Sequence, residues 1–332
     1  MLNQNLKLNT KIFNEDVKKI STRLGFGEGL LKIGEKNENI IVLCADLTES
    51  TKVDLFAERF PERFIDVGVA EQNLATVASG IASMGKIPFI ASYSIFNPGR
   101  NWEQIRTTIC YNNQPVKIIG SHAGISVGPD GGSHQALEDI ALTRVIPNMV
   151  VISPCDNFEV QKATIACSLT KDPTYIRLAR NNTALITTDE TPFEIGKAQI
   201  FFKPEIGLAH VGIIATGPIL YKAIMAAYIL EKKGIKSKVM NLSTIKPLDS
   251  EAIIALAKET KAIVTVEDHQ ITGGMGSAVA ECLIESYPIP VEFVGINNKF
   301  GQSGTPEELE KYYEIDIPNI IKKVEKVLKR KN

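Results

Sequence analysis

The stretch DVGVAEQNLATVASGIASMG, residues 66–85, places one carboxylate, Glu71, between an apolar strand and a helix. After Glu71, the apolar residues that recur at helical spacing before Gly85 are Leu74, Val77, Ile81 and Met84. Before it, FIDVGVA, residues 64–70, is typical of a buried strand. Glu71 is therefore expected at the carboxyl end of a strand, where open parallel sheets bind their ligands.

Length and composition bound the class of protein. A chain of 332 residues favours two domains, and its 44% hydrophobic and 23% charged residues are ordinary for a globular protein. The net charge of −1 gives no electrostatic argument for binding nucleic acid or an anionic membrane. The five cysteines lack a C-x-x-C pair, which suggests a reducing compartment. With neither a signal peptide nor a transmembrane-length apolar run, we expect a cytoplasmic protein.

Strands and helices alternate along most of the chain, which predicts an α/β fold with parallel, doubly wound sheets. The alternation stops between Arg180 and Pro204, a polar segment interpreted as a linker with a small hairpin. We therefore expect a first domain over residues 8–185, a linker over 186–205 and a smaller α/β domain over 206–332.

Local patterns give more detailed expectations. A helix is predicted from Val17 to about Glu35, and TESTKVD, residues 48–54, is predicted to be a polar loop. Further helices are expected to begin at Gln135, Asp156 and Asp249.

Two roles for Glu71 are open from its position alone. A glutamate in the first turn of a helix commonly stabilises the helix dipole. The flanking sequences VGVA and LATVA would also remove its carboxyl from water, and burial favours a group that can hold or donate a proton near neutrality.

Two of the four histidines, His122 and His134, bracket the glycine-rich loop HAGISVGPDGGSH, which also contains Asp130. The loop could be a plain surface turn. Glycines also allow close approach of a ligand, and two imidazoles with a carboxylate can bind hydroxyls or phosphate, or move protons. The spacing does not match a metal site.

Other candidates follow strand ends. Tyr93 and Phe96 can pack in a core or stack on a flat ring, and Arg180 can bind phosphate or be solvated.

Two glycine clusters match phosphate loops only weakly. The first, GFGEG at residues 25–29, lies in a helical stretch and not between a strand and a helix. The second, GGMGS at residues 273–277, lacks the third glycine of the dinucleotide fingerprint and is interpreted as a backbone nest without a cofactor.

In order and spacing, DVGVAEQN, YSIF, GPDGGSHQ and RVIPNMVVISPCD resemble the pyrimidine-binding domain of the transketolase family. VEDHQITGGMGSAVAE and FGQSGTPEEL resemble that family's C-terminal domain. The resemblance covers nearly the whole chain. It implies a thiamine-diphosphate-binding fold, in which a parallel sheet with helices on both faces is followed by a smaller α/β domain.

The resemblance also implies a reaction. The family glutamate that Glu71 matches hydrogen-bonds N1′ of the aminopyrimidine of thiamine diphosphate and favours its imino tautomer, whose 4′-imino group takes the proton from thiazolium C2. A two-carbon ketol unit then passes from a ketose phosphate to an aldose phosphate. Glu71 and His134 are the implied catalytic residues.

Other positions match family contacts to cofactor and substrate. The resemblance implies that Phe96 stacks on the pyrimidine, with Tyr93 beside it and Asp46 at the cofactor end of the pocket. It implies that Asp130 and His134 contact donor hydroxyls. The positions that match those holding the sugar-phosphate tail are His122, Ser50, Arg23 and Arg180. The sequence departs from the family pattern in two places. It has GGSH where the single-chain enzymes typically have G-P-T-H, and the histidine of SHAG is not followed by the acidic residue often found there. These departures leave the specificity for the ketose donor open.

The family's diphosphate-binding motif, G-D-G followed further along by Asn, does not occur in the 332 residues. The chain therefore resembles the C-terminal half of a transketolase made as two polypeptides. The resemblance implies that an N-terminal partner chain supplies the Mg²⁺ ligands, with no metal ligand on this chain, and that two of each chain assemble.

Alternatives remain from the sequence. In 1-deoxyxylulose-5-phosphate synthase the glutamate and aromatic regions are similar, but that enzyme is usually one long chain. The β subunit of the 2-oxo-acid dehydrogenase E1 component also needs a partner, but it lacks the histidine pair. A non-catalytic partner subunit would not need Glu71, Phe96, Asp130 and His134 together, and a dinucleotide-binding oxidoreductase lacks its fingerprint.

Overall fold

The structure is a computed structural model that describes residues 1–331, which form three β-sheets with helices packed around them. The strands are β1 (Lys19–Ser21), β2 (Ile40–Cys44), β3 (Phe64–Asp66), β4 (Ile87–Tyr93), β5 (Lys117–Ser121), β6 (Val150–Ile152), β7 (Thr174–Arg177), β8 (Asn182–Ala184), β9 (Gln199–Phe202), β10 (Val211–Ala215), β11 (Ser237–Asn241), β12 (Thr244–Lys246), β13 (Ile263–Gln270) and β14 (Val291–Ile296).

The α-helices are α1 (Thr22–Lys36), α2 (Thr48–Thr51), α3 (Asp54–Arg59), α4 (Glu71–Ser83), α5 (Trp102–Gln104), α6 (Asp139–Arg144), α7 (Asn157–Ser168), α8 (Leu220–Lys232), α9 (Ser250–Thr260), α10 (Met275–Ser286), α11 (Pro306–Tyr312) and α12 (Ile317–Lys329). A π-helix (Ile105–Cys110) continues α5. Short 3-10 helices are formed by Gln4–Leu6, Pro61–Arg63, Gly124–Asp130 and Gly217–Ile219. Within residues 1–331, none of the helices combines the length and the apolar character needed to cross a membrane.

The larger sheet has seven strands in the order β12-β6-β7-β5-β4-β2-β3. All are parallel except β12, which runs antiparallel to β6. Its two faces are covered by different helices, with Phe26 and Leu30 of α1 on one face and Leu74 of α4 on the other. Burial on both faces explains the continuous apolar runs of the strands. The predicted parallel sheet with helices on both faces is confirmed.

The second sheet has five strands in the order β14-β13-β10-β11-β9, parallel except for β9. Residues of α8 and α12, such as Leu220 and Val324, pack on one side, and residues of α9 and α10, such as Leu256 and Val279, pack on the other. This arrangement is the expected second α/β unit.

The two units share strands and core. β12 lies in the second half of the chain but joins the seven-stranded sheet, and Leu8 and Ile12 from the N-terminal segment pack in the core of the five-stranded unit. The small hairpin expected between Arg180 and Pro204 is wrong, since β8 pairs with β1. That segment instead contributes β9, which pairs with β11 and buries Phe201 and Phe202.

Three local predictions are also wrong in detail. β1 pairs with β8 before α1 begins at Thr22, so the helix starts later than Val17. The segment predicted as a polar loop forms α2 and the start of α3. The helix expected from Gln135 begins at Asp139, because the backbone N–H groups of His134 and Gln135 close a turn on the Gly131 carbonyl.

The strand before Glu71 is shorter and more exposed than predicted. β3 ends at Asp66 and pairs with β2 alone at the sheet edge, which leaves Ile65 37% and Val69 70% exposed. An edge strand with apolar side chains in solvent is a surface for pairing with another chain.

Both weak glycine clusters have structural roles. A Cβ on Gly25 would clash with the main-chain oxygen of Asn157, so the glycine allows α1 and α7 to approach closely. At the start of α10, the backbone N–H groups of Met275 and Gly276 donate to the two carboxyl oxygens of Glu267 at 2.7 and 2.8 Å. The chain's own carboxylate therefore fills this backbone nest.

Candidate active site

Candidate residues lie at or after the carboxyl ends of five strands of the seven-stranded sheet. In sheet order, β7, β5, β4, β2 and β3 lead to Arg180, His122, Tyr93, Asp46 and Glu71. Because the strands are parallel, these ends meet at one edge of the sheet.

Glu71 is the first residue of α4, and its side chain is only 1% exposed. The expected burial is therefore confirmed. The guanidinium of Arg100 donates from Nη1 to Glu71 Oε2 at 2.9 Å, and Asn101 Nδ2 donates to the Glu71 carbonyl at 2.9 Å. The same guanidinium lies over the ring of Phe96, with Cζ 4.4 Å from the ring centroid. One planar cation thus contacts both the carboxylate and an aromatic face.

Four aromatic side chains form a cluster beside Glu71. Tyr93 stacks on His122 with centroids 3.9 Å apart, and its ring lies 6.2 Å from that of Phe96. His134 packs edge-on to Phe96 at 5.6 Å and to Tyr93 at 6.3 Å. The structure therefore brings together two aromatic residues of one loop and the two histidines that bracket another.

His122 is neutral in this environment. It is 3% exposed, and its Nδ1 lies 2.8 Å from the hydroxyl of Ser121. Burial first, and then the electrostatic influence of Arg23 and Arg180, lower the pKa of His122 to about 3. A neutral imidazole can both donate and accept a hydrogen bond, so it suits a hydroxyl or phosphate oxygen.

Arg23, Ser50 and Arg180 also come together. Arg23 Nη1 donates to the Ser50 carbonyl at 2.6 Å, and its Nη2 donates to the Arg180 carbonyl at 2.7 Å. Arg180 Nη1 donates to the Val127 carbonyl at 2.8 Å. Two guanidinium groups are therefore held by main-chain oxygens beside the histidine loop. The buried Nε of Arg23 has no hydrogen-bond partner among residues 1–331.

Asp46 and Asp130 lie at the rim. Both are exposed, and the backbone N–H of Asp46 donates to Asp66 Oδ1 at 3.1 Å. Among residues 1–331, no hydrogen bond or ion pair joins the Asp46 side chain to the aromatic cluster. Asp130 ends the 3-10 helix of the glycine-rich loop, four residues before His134.

Family models cover most of the chain. The transketolase pyrimidine-binding domain matches residues 18–184, and the transketolase C-terminal domain matches residues 208–320. The chain belongs to the transketolase family. Its thiamine-type fold, expected from the motifs, is confirmed by these matches.

Several relatives of this transketolase-family chain have a similar length. A putative transketolase C-terminal section from Methanocaldococcus jannaschii is 45% identical over 312 residues, which are 93% of this chain and 96% of the relative. A 6-deoxy-6-sulfo-D-fructose transketolase subunit from a Clostridium species is 37% identical, with 91% and 93% covered. A solved split gene transketolase, an inactive beta4 tetramer, is 42% identical with a TM-score of 0.88, over 94% of this chain and all of that one.

The family also includes longer proteins. Human transketolase is 36% identical over 90% of this chain, but only 47% of the human protein is covered. The chain therefore corresponds to one half of a full-length transketolase, as the motifs predicted.

Two residues of this candidate site were missed by sequence reasoning. Arg100 lies in FNPGRNWEQIR, four residues after Phe96, and an arginine so close to a candidate aromatic was an available signal. Gln135 directly follows His134 but is 2% exposed, and nothing in its sequence position distinguishes it from a solvated glutamine. Among residues 1–331, no group of three or more His, Cys, Asp and Glu side chains is placed to hold a metal ion.

Proposed function

We propose that the chain is the C-terminal subunit of a transketolase, which transfers a two-carbon ketol unit from a ketose phosphate to an aldose phosphate. Thiamine diphosphate is held between this chain and an N-terminal subunit that carries the diphosphate-binding domain. The observation that carries the proposal is that one guanidinium, that of Arg100, contacts both the buried carboxylate of Glu71 and the ring of Phe96 at the carboxyl edge of the parallel sheet.

These residues fit an aminopyrimidine ring. The guanidinium of Arg100 is planar, and it contacts the Glu71 carboxylate and the Phe96 face at once. A flat ring with a basic nitrogen can make the same two contacts, provided that Arg100 swings out. The Arg100 side chain is 48% exposed, so solvent is open to it. When bound, thiamine diphosphate supplies a carbon nucleophile and an electron sink.

Glu71 then holds or donates a proton at the ring nitrogen, in a place where burial excludes water. Phe96 and Tyr93 orient the ring by stacking, and Asp46 lies at the cofactor end of the site. This chain therefore positions the cofactor and controls the proton at its ring nitrogen.

The histidine loop and the arginines are proposed to hold the substrates. Asp130 and His134 contact donor hydroxyls, and His134 is also a candidate to move a proton near the reacting carbons. Neutral His122, with Ser50, Arg23 and Arg180, takes the sugar-phosphate tail. The two guanidinium groups of Arg23 and Arg180 act electrostatically on His122, and their positive charge supports an anion there.

The partner requirement rests on the length of the relatives. Two similar proteins are a transketolase C-terminal section and a transketolase subunit, and a similar chain assembled as a beta4 tetramer is inactive. We propose that the partner supplies the Mg²⁺ ligands and that two of each chain form the enzyme. The exposed edge strand β3, next to Glu71, is compatible with such an interface.

The decisive experiment is ketol transfer from xylulose 5-phosphate to ribose 5-phosphate, with thiamine diphosphate and Mg²⁺, with and without the partner subunit. Activity is expected only in the mixture. Glu71→Gln should lower kcat by at least about 100-fold, because the variant has no carboxyl at the ring nitrogen. Glu58→Gln, at an exposed position of α3, is the matched control and should match the wild type.

Other outcomes would change the assignment. Turnover of pyruvate without ketol transfer would move the chain to the synthase or 2-oxo-acid dehydrogenase class. Absence of both activities in the mixture would favour a non-catalytic subunit.

A further inference from the structure

The glycine-rich loop that carries Asp130 and His134 rests on a segment from the other half of the chain, Asn298–Thr305. A Cβ placed on Gly132 would lie 2.5 Å from the Gly301 carbonyl oxygen, and one on Gly131 would lie 2.6 Å from the Ser303 hydroxyl. Gly131 also has φ +75°, a conformation that favours glycine. The absence of side chains therefore lets the two backbones pack directly on each other.

One side chain, that of Gln135, joins the two segments. It is 2% exposed, and its Nε2 donates to the Gly128 carbonyl at 3.2 Å and to the Gln302 carbonyl at 3.0 Å. One acceptor belongs to the loop, and the other lies 167 residues further along the chain. Its Oε1 is buried against Gly301, and a Cβ on that glycine would clash with it.

The bonds made by Gln135 continue into the loop. The Gly128 carbonyl also accepts from the N–H of Gly131 at 3.1 Å, and the Gly131 carbonyl accepts from the N–H of His134 at 3.0 Å. Asp130 and His134 therefore lie on a turn that is closed by its own backbone and held from one side by Gln135.

We propose that Gln135 is a positioning residue that ties this loop to Asn298–Thr305 and so fixes where Asp130 and His134 meet the substrate. The C-terminal unit thereby has a direct role in the site. The proposal rests on the proposed function for its assignment of Asp130 and His134.

The expected effect follows from the chemistry of the amide. Without its N–H groups, the carbonyls of Gly128 and Gln302 each lose a donor, which loosens the contact between the loop and the segment. A displacement of about 1 Å in a positioned group can lower a rate by about 100-fold. Glu71 lies on α4 and is held by Arg100 and Asn101, so half-saturation by thiamine diphosphate should change much less than the KM for the sugar phosphate.

Two variants, one in each half of the chain, test the proposal. Gln135→Met keeps the length of the side chain but removes the donor. Gly301→Ala forces a methyl group against Gln135 from the opposite side. Gln161→Met is the matched control, since it removes a buried glutamine of α7 whose amide donates to Glu28 and Asn157.

The first measurement is hydrogen exchange of backbone amides in residues 124–135 of the full-length chain. Exchange should be at least about tenfold faster in Gln135→Met and Gly301→Ala, and unchanged in Gln161→Met. Unchanged exchange in Gln135→Met would overturn the proposal. This measurement needs neither partner nor activity.

The second measurement is ketol transfer in the mixture with the partner subunit. Gln135→Met and Gly301→Ala should raise KM for xylulose 5-phosphate and lower kcat, together about 10- to 100-fold. Half-saturation by thiamine diphosphate should shift much less than this KM, because Glu71 is held by other elements. Faster exchange with unchanged kcat and KM would refute the positioning role. A wild-type mixture without transfer would count against the proposed function, and the exchange measurement would still decide whether Gln135 holds the loop.

Discussion

At the scale of single residues, the contact between Arg100 and Glu71 has a measurable consequence for stability. The carboxylate is 1% exposed and the guanidinium 48% exposed, so removal of the cation leaves a buried charge without its partner. Arg100→Met should cost the isolated chain about 2 kcal/mol in free energy of unfolding, between the values for exposed and fully buried pairs. Urea unfolding measures this difference.

Two controls separate the ion pair from the aromatic contact. Arg59→Met removes an exposed arginine whose Cζ lies 5.2 Å from the Phe60 ring, with no carboxylate involved, and should have little effect. In a Glu71→Gln background, Arg100→Met should cost much less, because no charge remains to be neutralised. An equal cost in both backgrounds would contradict the assigned interaction.

His122 makes the stability depend on pH. Burial holds its folded-state pKa at about 3, whereas an unfolded histidine titrates near pH 6.5. Between these values the unfolded chain binds a proton that the folded chain does not, so stability should fall as the pH drops from about 6.5 toward 3. His122→Gln should reduce this slope in urea unfolding between pH 7 and pH 5.

The slope should not vanish in that variant, because burial also lowers the pKa of His269 to about 4. His210→Gln, at an exposed position, is the control and should keep the full slope. A wild-type slope retained in His122→Gln would show that this imidazole can take up a proton in the folded chain.

At the scale of elements, Gly25 and Gly29 of α1 are explained by the packing of α1 on α7. Gly25→Ala would gain about 1 kcal/mol in helix propensity, but its methyl group would clash with the main chain of Asn157. Since a backbone oxygen cannot move aside cheaply, we expect a net loss of about 2 kcal/mol. Gly80→Ala in α4 is the matched test, because nothing lies within 4 Å of its Cβ, and it should gain about 0.5–1 kcal/mol. Thermal unfolding of both variants should shift in opposite directions.

At the scale of the whole molecule, a buried polar cluster joins the two units. Arg177 Nε donates to Asp139 at 2.8 Å, and its Nη2 donates to the Asp268 carbonyl at 2.7 Å. Tyr175 also donates to Asp139, at 2.7 Å. Arg177 and Asp139 are 6% and 1% exposed, so they form a buried ion pair within the first unit, and the hydrogen bond from Arg177 to the Asp268 carbonyl ties this pair to β13 of the second.

Arg177→Met should cost about 3–5 kcal/mol, because it leaves Asp139 buried without a cation. Lys7→Met, which breaks an exposed pair with Glu190, should leave stability nearly unchanged.

Since the units share strands and core, they should unfold together. Fluorescence of the single tryptophan, Trp102, and circular dichroism should therefore report one transition in the wild type. Separate transitions would show that the units unfold independently.

Much of this architecture was predictable from local patterns. Buried parallel strands need continuous apolar runs and helices need apolar residues at a period of 3.6, so the alternation indicated two α/β units. Polar residues directly after such strands, Glu71 and His122 among them, stood out as candidates because strand ends in parallel sheets meet at one edge. The motifs that resemble the transketolase family then indicated the fold and the half-length character of the chain.

The sequence by itself therefore determined the fold class and the family, since both are encoded in short stretches read one at a time. Only the tertiary structure decided that β12 crosses to the seven-stranded sheet and that β9 joins the five-stranded one. It also decided that Arg100 holds Glu71 and that Gln135 bonds to Gln302. Each of these contacts joins residues that are distant along the chain. Local periodicity indicates which residues form a strand or a helix, but it carries no information on which distant residues become hydrogen-bond or packing partners, because the folded geometry decides that.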